Sequence, residues 1–341
     1  MNWRRLARAL LAAPVFLVTA WGALALWFQL APAPALVLGA AWSLLGLAAA
    51  LALLRAPGWP HARKLLLAAA LAGLAMLGWW QSLAPSHDRP WADDVARLLE
   101  STVDGERLEL RNVRAFEWRT ETDYTPRWET RQYDLTKLES ADLVLSYWMG
   151  PHIAHTLVSF GFSDGQRLVF SLEIRKERDE SFSALGGFFR KFEQVIVAAD
   201  ERDLIRTRSN ARGEQVYLYR LRATPAQLRS VLLDYLERAE RLRARPEFYN
   251  TLTSNCTTIL FELARHIDPT LPLDYRLLAS GHFAKYAYDQ GALTPGVPYA
   301  VLRERGHINA RARKAGPDAA DYSKVIRVGV PGIPEKESMR D

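Results

Sequence analysis

Hydrophobic and polar residues follow two different regimes along the 341-residue chain, and the change falls near residue 87. Before it, apolar residues come in three unbroken blocks, at 9–30, 35–54 and 65–83, and the segment contains no Asp or Glu. A hydrocarbon core about 30 Å thick takes roughly 20 helical residues to cross, so each block predicts a transmembrane helix. The first two blocks are separated only by Ala31-Pro32-Ala33-Pro34, a tight turn. The second and third are separated by the basic linker 55–64. Trp79 and Trp80 close the last block and read as an interfacial anchor.

After residue 87 the pattern alternates on shorter periods. Residues 91–101 predict a short amphipathic helix, 107–119 a strand, 120–138 a polar surface loop containing Tyr124, Pro126, Trp128 and Tyr133, and 142–148 a strand. The β-rich runs 155–162 and 167–175 flank Asp164-Gly165, a strong hairpin signal. Residues 188–198 and 215–221 predict further strands, with a short polar helix or turn at 200–206 between them. Residues 225–243 have helical periodicity, with Thr224 as N-cap and Pro225 in the first turn. Asn255 or Ser254 caps a helix running to His266, after which Gly and Pro become frequent and the last twenty residues predict partial disorder. The expected fold class is α+β with one mixed or mostly antiparallel sheet. Expected boundaries are a membrane anchor at 1–87, a second domain at 88–300 and a tail at 301–341.

Charge settles the orientation. Arg4, Arg5 and Arg8 precede the first block, and Arg55, Arg63 and Lys64 lie in the linker, so the positive-inside bias puts both segments in the cytoplasm. Three crossings then carry everything after about residue 84 outside. If the first block were instead a cleaved signal peptide, the two remaining crossings would give the same sidedness. The net charge of +6 comes from those six residues, since the other 38 Lys and Arg are matched by 38 acids. Nothing here makes the concentrated basic face that nucleic-acid binding needs.

Cys256 is the only cysteine, so it cannot form an intrachain disulfide. In the extracytoplasmic half it is either an inert buried hydrophobe or a reactive thiol. The polar flanks Ser254-Asn255 and Thr257-Thr258 and its place at a helix start favour reactivity, because aligned amides lower a thiol pKa. The first amides of that helix could also stabilise an oxyanion. His155 opens a predicted strand and is the preferred general base and acid, ahead of His152 in the preceding loop. The His-x-x-His spacing raises zinc, but no third ligand cluster accompanies it, so neither metal nor cofactor is expected.

Glu173 is the candidate orienter of the imidazole, with Ser171 a weaker substitute. A two-residue Asp164-Gly165 turn pairs His155 with Ile174 and puts Glu173 on the other face. A three-residue loop or a bulge brings Glu173 onto the histidine face, and the sequence leaves both open. These parts describe acyl transfer through a thioester, resolved by an amine in a transferase or by water in a cysteine peptidase or amidase. A non-catalytic membrane-anchored module with a structural Cys256 is the third reading.

Four blocks carry a resemblance. His155-Thr156-Leu157-Val158-Ser159-Phe160, Ser171 through Glu177, Ala199-Asp200-Glu201-Arg202-Asp203, and Tyr249-Asn250 through Asn255-Cys256-Thr257-Thr258 resemble the Lnb N-terminal periplasmic domain family over roughly residues 110–290. The resemblance implies a permuted papain-like (NlpC/LRAT-like) thiol fold, in which the histidine strand precedes the cysteine helix. The family's namesake is a bacterial lipoprotein N-acyltransferase. By that likeness Cys256 takes an acyl chain from a membrane phospholipid and passes it to a lipoprotein amino terminus, with His155 as base and acid and Glu173 as orienter. His152, Tyr249, Asn250 and Asn255 are expected substrate-binding or supporting positions. The implied setting is the bacterial inner membrane, and no oligomeric state follows. Three spans ahead of the domain depart from the namesake's layout, so the domain is shared more securely than the substrate.

Overall fold

A computed structural model describes residues 3–55, 61–316 and 321–338, so part of the basic linker and the extreme end of the tail lie outside it. The chain divides into two compact units. Met1–His87, Phe182–Phe192 and Phe248–Asn250 form one, and the rest forms the other.

The first unit holds the three helices α1 (Trp3–Gln29), α2 (Pro32–Leu54) and α3 (Ala62–Ser82). All are long and apolar enough to cross a membrane. Helices α1 and α2 pack through small residues, which substitute for a hydrophobic driving force in lipid by letting backbones approach. A Cβ on Gly22 would meet the Trp42 indole at 2.5 Å, and one on Gly46 would collide with Thr19. The Trp42 Nε1–H donates to the Thr19 carbonyl at 2.8 Å. Trp21 of α1 meets Trp80 of α3 edge-on, with ring centroids 5.1 Å apart.

Residues 182–192 add a turn to this unit. Phe189 is buried, stacked on Phe28 at 5.5 Å and edge-on to Trp80 at 6.5 Å. Gln29 Nε2 donates to its carbonyl at 2.6 Å. Arg190 takes a left-handed backbone (φ 53°), which turns the chain. Its guanidinium lies 4.7 Å over Trp80 and donates to the Trp80 carbonyl at 2.7 Å. The strand expected at 188–198 therefore begins only at Glu193. Its apolar first half is spent on the helix ends, not on a sheet.

The described residues of the second unit form ten strands: β1 (Glu100–Asp104), β2 (Arg107–Arg114), β3 (Glu117–Trp118), β4 (Tyr124–Thr125), β5 (Trp128–Asp134), β6 (Leu138–Tyr147), β7 (Ala154–Phe162), β8 (Arg167–Arg175), β9 (Glu193–Ala199) and β10 (Gln215–Arg220). The main sheet runs β1-β2-β9-β8-β7-β6-β10, with β5 paired to β2 and β3-β4 forming a separate ribbon. Its pairings are antiparallel except for a short parallel contact between β2 and β9. The expected α+β class with a mostly antiparallel sheet holds.

Both faces of the sheet are covered, so every residue of β7 and β9 is buried. On one face Phe160 and Phe170 pack against Tyr235 of α5 (Pro225–Ala244), and α6 (Cys256–Ile267) lies beside it. On the other, Leu157, Val169 and Val197 meet Ile205 of α4 (Glu201–Arg206). Beyond α6, α7 (Phe283–Asp289) packs on it through Tyr286 and Phe261, and α8 (Tyr299–Gly306) lies along β10; Ala312 of α9 (Asn309–Lys314), Tyr322 of α10 (Tyr322–Val325) and Ile326 then join the second core, and α11 (Glu335–Ser338) follows.

Three local expectations fail. Residues 91–101 make a 3-10 turn at Asp93–Val95 and then β1, not a helix. Trp91 is drawn into a bridge with Glu177, and the Arg175 guanidinium sits 4.4 Å over its ring. The polar stretch 120–138 contains β4 and β5. The exposed residues of β5, Thr130 and Gln132, are polar, while Tyr133 is buried and stacks on Phe162 at 5.0 Å. The described residues of 301–341, expected as a tail, pack into the second unit. Fully buried Arg327 pairs there with Asp142 (2.9 Å) and Glu201 (2.8 Å).

Candidate active site

Cys256 is the first residue of α6, and the turn before it is locked by local polar contacts. Asn255 has an extended backbone and is the N-cap. Its Oδ1 accepts from the Thr257 and Thr258 amides at 2.9 and 3.0 Å, and Thr258 Oγ1 accepts from the Asn255 amide at 2.9 Å. This reciprocal box satisfies donors that a helix start otherwise leaves open. Asn255 Nδ2 donates to the Thr251 carbonyl at 2.8 Å, fixing the approach. The apolar stripe Ile259, Leu260, Phe261 and Leu263 then buries the helix. Asn255 is thus a positioning residue. The amides of Thr257 and Thr258 are already used by it, which takes them out of the expected oxyanion role.

The hairpin register decides the status of Glu173. Leu157 pairs with Ser171 and Gly161 with Arg167. The turn is a three-residue loop, Ser163-Asp164-Gly165, in which the Phe162 amide bonds the Gln166 carbonyl at 3.1 Å and Gly165 has φ +89°. Continued to the strand ends, the same register sets Glu173 opposite His155. The His155 Nε2 is 3.2 Å from Glu173 Oε1 and 2.6 Å from Ser171 Oγ. Ser171 donates its hydroxyl proton to Glu173 Oε1 at 2.8 Å. Its oxygen therefore accepts from Nε2–H, which commits that nitrogen and leaves Nδ1 for the thiol.

The electrostatics couple the three groups. Burial pushes the His155 imidazolium toward deprotonation, but the Glu173 carboxylate beside it and the Cys256 sulfur outweigh that and raise it to about 9. Burial alone would raise the Cys256 thiol. The charge and hydrogen bond of His155, the Thr156 amide and the Thr257 hydroxyl bring it below the ordinary thiol range. Glu173 is disfavoured as an anion by burial, yet His155 and Arg208 hold it well below the usual carboxylate range. These directions describe an imidazolium–thiolate pair with a carboxylate behind it, the state in which sulfur is nucleophilic. Cys256 is only half buried, so the sulfur's residue is not sealed in the core.

Arg208 is the participant the sequence did not reveal. A π-helical turn at Thr207–Ala211 brings its Nη2 to 2.7 Å from Glu173 Oε1, and its Nη1 lies 3.6 Å from Glu214 Oε2. Glu214 in turn accepts from the Ser146 hydroxyl. Nothing in the spacing of residues 173 and 208 signals this contact. The Trp148 ring stands edge-on to His155 with centroids 6.5 Å apart.

The remaining expected positions fall elsewhere. His152 is exposed, and its Nδ1 is 2.8 Å from Nε2 of His282. Among the described residues no third His, Cys, Asp or Glu joins them as a metal-ligand group. Tyr249 and Asn250 belong to the first unit, where the Tyr249 amide donates to the Phe192 carbonyl at 2.8 Å. The Asp200–Asp203 block serves the scaffold. Asp203 accepts from Arg114 (2.8 and 3.0 Å), the Phe116 amide (3.0 Å) and the Trp118 indole (2.8 Å).

Residues 124–281 match the family model of the Lnb N-terminal periplasmic domain, a span that contains His155, Ser171, Glu173, Arg208 and Cys256. No curated protein and no solved structure matches the chain.

Proposed function

We propose that this chain, a member of the Lnb N-terminal periplasmic domain family with three apolar helices ahead of a periplasmic domain, is an inner-membrane thiol acyltransferase. The substrates in this reading are a phospholipid donor and a lipoprotein amino terminus. The order of histidine strand before cysteine helix supports a permuted papain-like arrangement of the site.

The carrying observation is the geometry: Cys256 opens α6, and the His155 imidazole has its Nε2 held 2.6 Å from Ser171 Oγ and 3.2 Å from Glu173 Oε1, an arrangement with which the opposed directions of the shifts, His155 up and Cys256 down, agree. The thiolate attacks the carbonyl carbon of the donor ester, forming the C–S bond. The tetrahedral oxyanion collapses, the C–O bond breaks, and the departing alkoxide takes the proton from imidazolium Nδ1. A thioester and a lysophospholipid result. The acceptor amine then gives its proton to neutral His155 as it attacks the thioester, and the thiolate leaves, restoring the pair. Glu173 and Ser171 hold Nε2 throughout, and Arg208 keeps Glu173 ionised. With the next two amides taken by Asn255, the Cys256 amide is the helix-start donor assigned to the oxyanion.

The test is intact-protein mass spectrometry of the purified full-length chain after incubation with phospholipid vesicles. A hydroxylamine-labile acyl adduct on Cys256, absent from Cys256→Ser and discharged by a diacylated lipopeptide, is expected. Unmodified wild-type protein under those conditions would sink the reading. Discharge of the adduct to free fatty acid alone, with no acylated peptide, would replace the transferase by a hydrolase.

A further inference from the structure

We propose that Phe182–Phe192 is an interfacial lipid-binding loop that inserts apolar side chains into the outer leaflet beside the helices. This inference does not rest on the acyl-transfer reading. Residues 181–189 form an uncharged stretch, Ser-Phe-Ser-Ala-Leu-Gly-Gly-Phe-Phe, in a chain that is 24% charged. Within it Phe182, Leu185 and Phe188 are 45, 58 and 38% exposed. Exposure by itself does not single them out, since Leu273 and Leu278 of the second unit are 80 and 52% exposed; their place in the unit of the apolar helices does. On those helices Phe16, Leu17 and Val37 face lipid with similar or greater exposure.

The loop belongs to the same compact unit as those helices. Its buried residue, Phe189, rests on Phe28 and Trp80. Both lie near the C-terminal ends of their helices, which odd-numbered crossings put on the outer side. The contact is therefore at the level of the outer headgroups, where Trp79 and Trp80 form the aromatic belt. The turn is held closed, with the Gly187 amide on the Ser183 carbonyl at 3.2 Å and the Lys191 amide on the Gly186 carbonyl at 3.2 Å. Arg190 and Lys191 follow directly after the apolar tip. Basic residues behind an apolar face are the pattern of an interfacial anchor, since cations favour phosphate headgroups while the apolar tip favours acyl chains. Continuity with the lipid-facing helices selects phospholipid as the occupant over a protein partner.

Because Cys256 is the only cysteine, single-site labelling is direct. The full chain carrying Cys256→Ser and Leu185→Cys, nitroxide-labelled and reconstituted in phosphatidylethanolamine–phosphatidylglycerol vesicles, would be compared by power-saturation EPR with a label at Glu121→Cys. An oxygen-to-nickel-chelate accessibility ratio several-fold above that reference is expected. Phe188→Cys provides the same reading should Leu185→Cys fold poorly. A ratio at or below the reference, whether from exposure to water or from cover by protein, overturns the proposal.

Discussion

One face of the central sheet carries two polar rows, four residues apart along β7, or roughly 13 Å. The first joins Ser146, His155 and Glu173 through Arg208 and Glu214. The second joins Arg220, Asp142 and Ser159 through Arg327 and Glu201. An apolar row including Val144 and Leu157 separates them. In the second row Arg327, Asp142 and Glu201 are fully buried, and each acid is held below its ordinary range by arginines despite the burial that opposes ionisation. No group there changes charge near neutrality. In the first row the imidazole and the thiol can exchange a proton, and one end is half open. Similar residue types thus make a fixed clamp where every charge is saturated, and a reactive site where one proton is left mobile.

Breaking the clamp has the largest expected effect. Arg327→Ala leaves Asp142 and Glu201 buried without their cation, a loss of about 3–5 kcal/mol. Thermal denaturation should show this as a large fall in Tm, whereas Cys256→Ser should leave Tm close to wild type. Equal losses would mean that the two rows do not differ in kind.

Removing the mobile proton's carrier comes next. In His155→Ala the thiol keeps its burial and loses its counter-charge, so its pKa rises. Iodoacetamide alkylation of Cys256 at pH 7 should slow roughly tenfold for each unit of that rise. The pH dependence of stability has a defined sign. A histidine raised to about 9 contributes stability that is complete below its unfolded value. That contribution fades between about pH 6.5 and the raised value as pH increases. The depressed Cys256 thiol contributes with the opposite sign over the same window, so Cys256→Ser, which keeps only the histidine contribution, should lose Tm through it more steeply than wild type.

Glu173→Gln sharpens the comparison further. It retains Ser171 and the packing but removes the charge that holds His155 up. The alkaline limb of the proposed acyl transfer should move to lower pH, with the transfer rate at pH 8 reduced about tenfold. An unshifted limb would mean that Glu173 is a bystander. The smallest expected effect is that of Asn255→Ala, which removes the cap and costs about 1 kcal/mol. It also frees the Thr257 and Thr258 amides, so any gain in thiol acidity measured beside the stability loss would report how much the cap withholds from the sulfur.

What the sequence made legible was local. The α5 and α6 caps and the β7–β8 hairpin rest on residues within a few positions of each other, and all appear. The same local signals put Cys256 at the start of α6 and His155 near the start of β7. Misread features depended on distant partners. Arg208 reaches Glu173 only because a π-helical turn redirects it. The described residues 321–338 are tied down by Arg327 finding acids 185 and 126 positions away. Residues 128–134 looked like loop because an edge strand shows its polar side, with Thr130 and Gln132, to water. Phe188 and Phe189 looked like the start of a strand, since a pattern of hydrophobicity does not say whether it answers to protein or to lipid.

The exposed turn at Ser163-Asp164-Gly165 lies at the opposite end of the nine-residue strand β7 from the imidazole. Its residue count nonetheless sets which side of the ribbon Glu173 occupies, because parity in the loop becomes sidedness in the strand. Deleting one residue there would alter nothing within contact distance of the sulfur and would still turn the carboxylate away from it. The turn is a place where a frame-preserving indel, harmless by every measure of solvent exposure, would act as a lesion of the candidate site.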